Sequence, residues 1–159
     1  MGVSGAGKST VGRRAAERLG WAFQEGDDLH PAANVAKMKS GIPLNDADRA
    51  PWLAAIAAWI DGQAEAGEAA VIACSALKRR YRQVLTQGRP FVRLVYVEGP
   101  QALIRARLET RKGHYFPPAL LDSQLADLEP PTDEEHPIVV EADWPIATQV
   151  ERIAAALGG

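Results

Sequence analysis

The sequence predicts an α/β fold built on a parallel β-sheet. Apolar segments that read as strands, such as residues 69–74 and 91–97, alternate along the chain with segments of helical periodicity. Two parallel strands need a crossover connection, and that connection is usually a helix. Residues 69–74 are apolar without alternation, which is typical of a strand covered on both faces. We therefore expect three layers, with helices on both sides of the sheet.

The length and composition of the chain fit one domain, residues 1–159. Apolar residues make up 47% of the 159 residues, which argues against disorder. The net charge of −2 offers no general attraction to nucleic acid or to an anionic membrane. The single cysteine, Cys74, has no partner for a disulfide, which suits a reducing compartment. Because the sequence shows neither an apolar run of about 18 residues nor a secretory leader, a cytoplasmic protein is expected.

The other elements are expected in order along the chain. A helix with Val11, Ala15 and Leu19 on one face follows the glycine-rich start, and a short strand follows at 21–23. Residues 41–50 read as a turn-rich loop, with Pro51 in the first turn of the next helix. Further helices are expected after Pro31 and at 52–67, 76–85, 101–112, 119–128 and 145–157, and a last strand at 137–142.

The opening "MGVSGAGKST" carries the strongest functional signal. Gly2, Gly7, Lys8 and Ser9 match G-x-x-x-x-G-K-[ST], a loop whose backbone N–H groups surround phosphate oxygens at a helix N-terminus. Lys8 would reach the outer phosphates, and the Ser9 hydroxyl would bind Mg²⁺. The alternative is an ordinary glycine-rich turn. The pattern predicts an ATP site formed by Gly2, Val3, Ser4, Gly5, Ala6, Gly7, Lys8, Ser9 and Thr10.

A strand normally comes before such a loop, and here no residues precede it to form one. The first strand of the sheet is therefore expected to be missing, at a cost in stability. Strands 71–74 and 92–97 should then lie on either side of the missing strand's position, separated by about twice the ~4.8 Å strand spacing. Direct pairing of these two strands would contradict that expectation.

Acidic residues follow the strand at 21–23, where ligand-binding groups often lie in parallel sheets. The sequence has no DxxG switch after a strand and no NKxD motif for guanine, so a kinase is favoured over a GTPase. Asp27, in "EGDDLHP", is the candidate to hold a Mg²⁺-bound water or to accept the proton of an attacking hydroxyl. The alternative is that Asp27 caps the following turn.

Together, "MGVSGAGKS", "GDDLHP", "KMKSGIPLNDADRAPWL", "CSALKRRYR" and "RKGHYF" resemble the gluconokinase family of small P-loop sugar-acid kinases. The resemblance runs from Gly2 to about Pro130. It implies a fold similar to adenylate and shikimate kinases, with strand order 2-3-1-4-5, and transfer of the γ-phosphate of ATP to the 6-hydroxyl of D-gluconate. It also implies possible homodimers and a mobile lid at about 112–130. Glu25 and Asp28 depart from the family's usual residues around Asp27.

The resemblance also assigns side chains to the two substrates. The side chains implied for the acceptor lie within or near an acceptor-binding region at about residues 27–60. They are Asp27, His30, Arg49 and Lys78. Those implied for ATP, besides the glycine-rich loop, are Arg107 and Arg111. A guanidinium suits the carboxylate of a sugar acid, although Arg49 could also be a solvated surface residue. Of the basic residues at 78–82, two are expected to face solvent.

Two other functions stay open at this point. The chain could phosphorylate another small polar metabolite, such as shikimate or a nucleoside monophosphate, on the same scaffold. It could also be a nucleotide-binding remnant that lost catalysis together with its first strand. Basic patches with interleaved aromatic residues are lacking, so nucleic-acid binding ranks low.

Overall fold

The computed structural model of the protein describes residues 1–110 and 118–158. Its helices are α1 (Lys8–Leu19), α2 (Ala32–Lys39), α3 (Asp46–Glu65), α4 (Arg79–Thr86), α5 (Gln101–Thr110), α6 (Pro118–Asp127) and α7 (Ile146–Leu157). Its strands are β1 (Ala22–Glu25), β2 (Ala70–Ala73), β3 (Val95–Glu98) and β4 (Ile138–Glu141). Single 3-10 turns lie at Gly26–Leu29 and Asp133–Glu135. In these ranges, no helix is both long and apolar enough to cross a membrane.

All the strand pairs described are parallel, which confirms the predicted α/β class. β1 pairs with β2, with Ala22 opposite Ala70, and β3 pairs with β4, with Val95 opposite Ile138. In the part of the chain that the structure describes, β2 and β3 share no ladder. The sheet order 2-3-1-4-5 remains a prediction.

Met1 and Gly2 link the two strand pairs. The Met1 amino group donates to the carbonyl of Val95, and the N–H of Val97 donates to the Met1 carbonyl at 3.0 Å, which is the bonding pattern of parallel strands. On the other side, the N–H of Gly2 donates to the carbonyl of Ser75 at 3.2 Å. The Met1 amino group is buried, and burial lowers its pKa to about 6. The first two residues therefore lie where a strand between β2 and β3 would end.

A cleft of about 590 Å³ lies beside this bridge. On one side its wall is residues 69–74, which include β2, and on the other it is residues 91–95, which lead into β3. Most of the remaining lining is aliphatic or aromatic and comes from the helices, including Val11, Ala15, Trp59, Ile60, Leu85, Ile153 and Leu157. The apolar core is correspondingly divided into two buried clusters. One cluster surrounds β3 and β4, the other joins α3 to α4, and Met1 packs against both.

Helix α3 begins earlier than expected, which corrects the loop predicted at 41–50. The Asn45 side chain accepts from the N–H of Asp48 at 2.8 Å, and the Asp48 carboxylate accepts from the N–H of Asn45 at 3.0 Å. This capping box starts the helix at Asp46. Pro51 consequently lies inside the helix rather than in its first turn, and Arg49 is helical rather than part of a loop.

Arg82 ties α4 to the acidic segment before β4. Its side chain is only 2% exposed, it donates to the carbonyls of Ala76, Leu77 and Glu129, and it forms a two-point ion pair with Glu135 at 2.6 and 2.9 Å. Arg79 lies on the same helix but pairs with Glu134 at the surface. Arg82 is thus a structural residue, while Arg79 and Arg80 face solvent, as expected for two of the basic residues at 78–82.

Removing the Arg82 guanidinium should therefore be costly. We expect Arg82→Gln to lower the free energy of unfolding by about 3 kcal/mol, since it leaves three carbonyls and a shielded carboxylate without their donor. Arg79→Gln is the matched control and should cause no measurable change in urea unfolding. The Arg82 hydrogen bonds lower the pKa of Glu135, so this stabilisation is present at neutral pH and is lost as the pH falls below about 4. Equal midpoints for the two variants at pH 7 would contradict this role for Arg82.

Candidate active site

The glycine-rich loop turns tightly and leads directly into α1. Gly5 and Gly7 have φ values of 83° and 103°, a left-handed conformation that side chains disfavour, and a Cβ on Gly5 would lie 2.8 Å from Cγ of Leu108. Lys8, the first residue of α1, donates from Nζ to the carbonyl of Val3 at 3.0 Å. The loop therefore curls around the lysine at a helix N-terminus, the arrangement that binds phosphate groups.

Two side chains that are distant in sequence hold this loop from outside. Gln124 of α6 accepts from the N–H of Ser4 at 2.7 Å and donates to the Ser4 hydroxyl at 3.0 Å. Arg107 of α5 donates to the carbonyls of Ala6 at 3.4 Å and Ala142 at 2.6 Å. Arg107 thus lies beside the glycine-rich loop. Gln124 was not predicted as a site residue, although a polar residue on the apolar side of a helix was an available signal.

The loop also fits a magnesium ion bound jointly with a nucleotide. Ser9, the second residue of α1, is exposed at the loop. Within residues 1–110 and 118–158, no group of three or more His, Cys, Asp or Glu side chains could hold a metal by itself. Mg²⁺ in phosphoryl-transfer sites takes few protein ligands and keeps substrate phosphates and water, so a magnesium ion held by Ser9 would take most of its ligands from the nucleotide and from water.

Asp27 lies on the 3-10 turn after β1, and packing beneath the turn fixes its position. Gly26 approaches the end of β2 so closely that a Cβ would lie 2.5 Å from the carbonyl of Ala73. The carbonyl of Gly26 accepts from the indole N–H of Trp52 at 2.8 Å, and Trp52 is buried. The Asp27 side chain is 71% exposed. Packing therefore holds the turn in place, and the turn presents an accessible carboxylate, as a proton acceptor requires.

His30 is more buried than a typical substrate-binding residue. Its side chain is 4% exposed, and its ring stacks on Trp52 with centroids 4.3 Å apart. The amide nitrogen of Asn34 donates to the carbonyl of Asp48 at 2.7 Å and lies 3.2 Å from Nδ1 of His30. Because that nitrogen is a donor, Nδ1 accepts and Nε2 carries the proton. Burial lowers the pKa of His30, so the ring is neutral at pH 7 and turns its Nε2–H edge toward Asp27, 3.9 Å away.

Cys74 directly follows β2 and is buried. Burial is the largest cause of its raised pKa, while Lys8 lowers the pKa and Asp27 raises it. Lys8 and Asp27 are therefore both close enough to the sulfur atom to influence it. Asp27 and Cys74 follow the carboxyl ends of β1 and β2, the edge of a parallel sheet where ligands usually bind.

Arg49 and Lys78, which are both expected to bind the acceptor, share one partner. Nη1 of Arg49 lies 2.9 Å from one oxygen of Asp127, and Nζ of Lys78 lies 3.1 Å from the other. The Arg49 side chain is only 11% exposed, so it is not the solvated surface residue that the sequence left open. The hydrogen bond from Lys78 to Asp127 raises the pKa of Lys78, which keeps it cationic.

Asp46 and Tyr81 extend this cluster and were not predicted from the sequence. The Tyr81 hydroxyl donates to Asp46 and accepts from Nη1 of Arg49 at 3.2 Å. Asp46 also pairs with Arg80 and lies 3.6 Å from Nζ of Lys78. The Tyr81 hydrogen bond and these cations lower the pKa of Asp46. Asp46 and Tyr81 are 35 positions apart, so no local pattern indicated that they meet.

Arg111 and the first part of the expected lid, residues 112–117, lie outside the described residues. The later part of the predicted lid segment forms α6, which contacts the phosphate loop through Gln124. The roles of Arg107 and Arg111 toward ATP remain predictions.

Comparisons with known proteins identify similar sequences and similar solved structures. A family model described as an AAA domain matches residues 1–131. The gluconokinase of Gluconobacter oxydans is 52% identical over 143 residues, which cover 90% of this chain and 80% of that protein. The crystal structure of a gluconokinase from Sinorhizobium meliloti superposes with a TM-score of 0.88 at 44% identity, covering 99% of this chain and 89% of that one. Shikimate kinase from Aquifex aeolicus, at 16% identity and a TM-score of 0.56, shares the fold.

The parallel α/β architecture and the phosphate loop at the start of α1 define a P-loop kinase, a class whose members in general use ATP with Mg²⁺. Within that class, the chain belongs to the gluconokinase family. This confirms the resemblance found in the sequence.

Proposed function

We propose that this protein transfers the γ-phosphate of ATP to the 6-hydroxyl of D-gluconate. The observation that carries the proposal is the acceptor side of the site, where Arg49 and Lys78 converge on one carboxylate at 2.9 and 3.1 Å. An acceptor that is itself a carboxylate matches this pair of cations. The gluconokinases to which the chain is similar support the choice of gluconate.

The phosphate loop would bind the triphosphate of ATP. Residues 2–10 would supply backbone N–H donors and the helix N-terminus, and Lys8 would exchange the carbonyl of Val3 for phosphate oxygens. The Ser9 hydroxyl would help to hold Mg²⁺, which would supply positive charge against the phosphates. Arg107 lies beside the loop and would add positive charge next to the nucleotide.

Asp27 would accept the proton of the attacking 6-hydroxyl or hold a water molecule of the metal. Its side chain is exposed, and its backbone is fixed by the packing of Gly26 and Trp52. The neutral His30 would orient the carboxylate or an acceptor hydroxyl through its Nε2–H. Phosphoryl transfer needs positioning and electrostatic support more than covalent chemistry, and this arrangement supplies both.

A panel of acceptors tests the proposal. With MgATP, D-gluconate should give ADP and 6-phosphogluconate, while shikimate, AMP and the neutral polyol D-glucitol should give no ADP above background. Coupled ADP detection and mass spectrometry of the product provide the readout. ADP formation with another acceptor but not with gluconate would overturn the proposal. ATP binding without turnover of any acceptor would favour the nucleotide-binding remnant.

Two further expectations go with this function. A kinase that uses ATP and a small metabolite is expected in the cytoplasm, and fractionation of cells would test this. The homodimer implied by the family resemblance would be tested by light scattering of the purified protein.

A further inference from the structure

The carboxylate of Asp127 lies between the two cations of the acceptor side. One of its oxygens is 2.9 Å from Nη1 of Arg49, and the other is 3.1 Å from Nζ of Lys78. Each oxygen therefore meets a different cation, which is how two cations would also hold the carboxylate of a bound acid. Asp127 is the last residue of α6, and its side chain is 24% exposed.

The neighbouring contacts show that the two cations need an anion here. Arg49 is mostly buried, and its other hydrogen bond from Nη1 goes to the neutral hydroxyl of Tyr81. Lys78 has a second carboxylate nearby, Asp46, but at the longer distance of 3.6 Å, and Asp46 is itself bonded to Tyr81 and Arg80. Asp127 is thus the main counterion of both cations. An acid that took its place would keep the charge balance of the cluster.

We infer that Asp127 occupies the position of the acceptor's carboxylate when no acceptor is bound, and that a sugar acid must displace it to reach Arg49 and Lys78. The inference rests on the proposed function and names a residue that sets the affinity of the site. Asp127 is a competitor of the substrate and does not touch the reacting atoms. Because it carries the same charge as the acceptor's carboxylate, the two groups cannot share the cations without repulsion.

A positioning role for Asp127 would have the opposite consequence. If the carboxylate held Arg49 and Lys78 in place for the acceptor, its removal would weaken acceptor binding. If it competes with the acceptor, its removal strengthens binding. The sign of the change in KM for gluconate therefore separates the two roles.

The test compares Asp127→Asn with Asp122→Asn in the whole chain. Asp122 lies on the same helix but pairs with Arg105 at the surface. For D127N we expect the KM for gluconate to fall about two- to fivefold, the range set by the loss of a partly exposed ion pair, with kcat and the KM for ATP changed less than about twofold. D122N should leave all three constants unchanged. Asp127→Ser is a second variant that removes the charge of Asp127, and it should change the KM for gluconate in the same direction.

The outcomes separate this inference from the proposed function. Normal turnover of gluconate by the parent protein, with an unchanged or raised KM in D127N and D127S, would overturn the inference alone. Failure of the parent to phosphorylate gluconate, while it phosphorylates another acceptor, would overturn the proposed function and the inference with it. A lowered KM in D122N as well would attribute the effect to the charge of α6 as a whole and would also overturn the inference.

Discussion

Replacement of Asp27 by asparagine should lower kcat for gluconate phosphorylation by about 100- to 1,000-fold, the loss expected when a positioned proton acceptor is removed. Asparagine has nearly the same shape, so the KM for gluconate should change little. The side chain is 71% exposed and has no hydrogen bond to the fold beneath it that the structure describes, so the melting temperature should stay the same. Steady-state rates with saturating MgATP and thermal unfolding are the two measurements.

Asp28 provides the matched control for this variant. It is the next residue on the same 3-10 turn and is also exposed. Asp28→Asn changes the net charge by the same amount at nearly the same place, so it should keep kcat within about twofold of the parent if only the carboxylate at position 27 takes the proton. Equal losses in the two variants would assign the effect to the charge of the turn. An unchanged kcat in Asp27→Asn would remove Asp27 from the reaction.

The phosphate loop could be predicted from the sequence because all its parts are contiguous. Lys8 and Ser9 follow the glycines directly, and the φ values of Gly5 and Gly7 show why those positions need glycine. The position of Asp27 could be predicted in the same way, because the carboxyl end of a strand is readable from the apolar run before it. Local sequence patterns were therefore enough to predict the phosphate loop and the position of Asp27.

The residues that complete the site could not be predicted, because their contacts are distant in sequence. Asp127 meets Arg49 across 78 positions, and Gln124 meets Ser4 across 120. Periodicity places both residues on α6 but does not reveal which loop that helix faces. The early start of α3 is a different kind of error. There the turn-forming residues of "NDAD" resembled a loop, while the reciprocal bonds of Asn45 and Asp48 make them a helix cap.

A chain extended by five apolar residues before Met1 should be more stable than the present one by about 4 kcal/mol. Filling a cavity is worth about 24 cal/mol per Å³, so the cleft of about 590 Å³ gives an upper limit of about 14 kcal/mol. Ordering five residues costs about 5–10 kcal/mol, which leaves about 4–9 kcal/mol of that upper limit, and the expected gain of about 4 kcal/mol is the lower end of this range. The bonds of Met1 to Val95 and Val97 would direct the added residues along the cleft, parallel to β2 and β3.

The sequence of the extension decides what the experiment shows. A run of valine and isoleucine suits a strand covered on both faces, and a Gly/Ser extension of equal length is the control. Both extensions replace the buried amino group of Met1 with a peptide group, so removal of that charge cannot distinguish them. Both extensions carry backbone groups that could bond to residues 69–74 and 91–95, but only the apolar one has side chains that fill the cleft. Urea unfolding should therefore show a higher midpoint for the apolar extension alone, and equal midpoints for the two extended chains would mean that the cleft does not accept a strand.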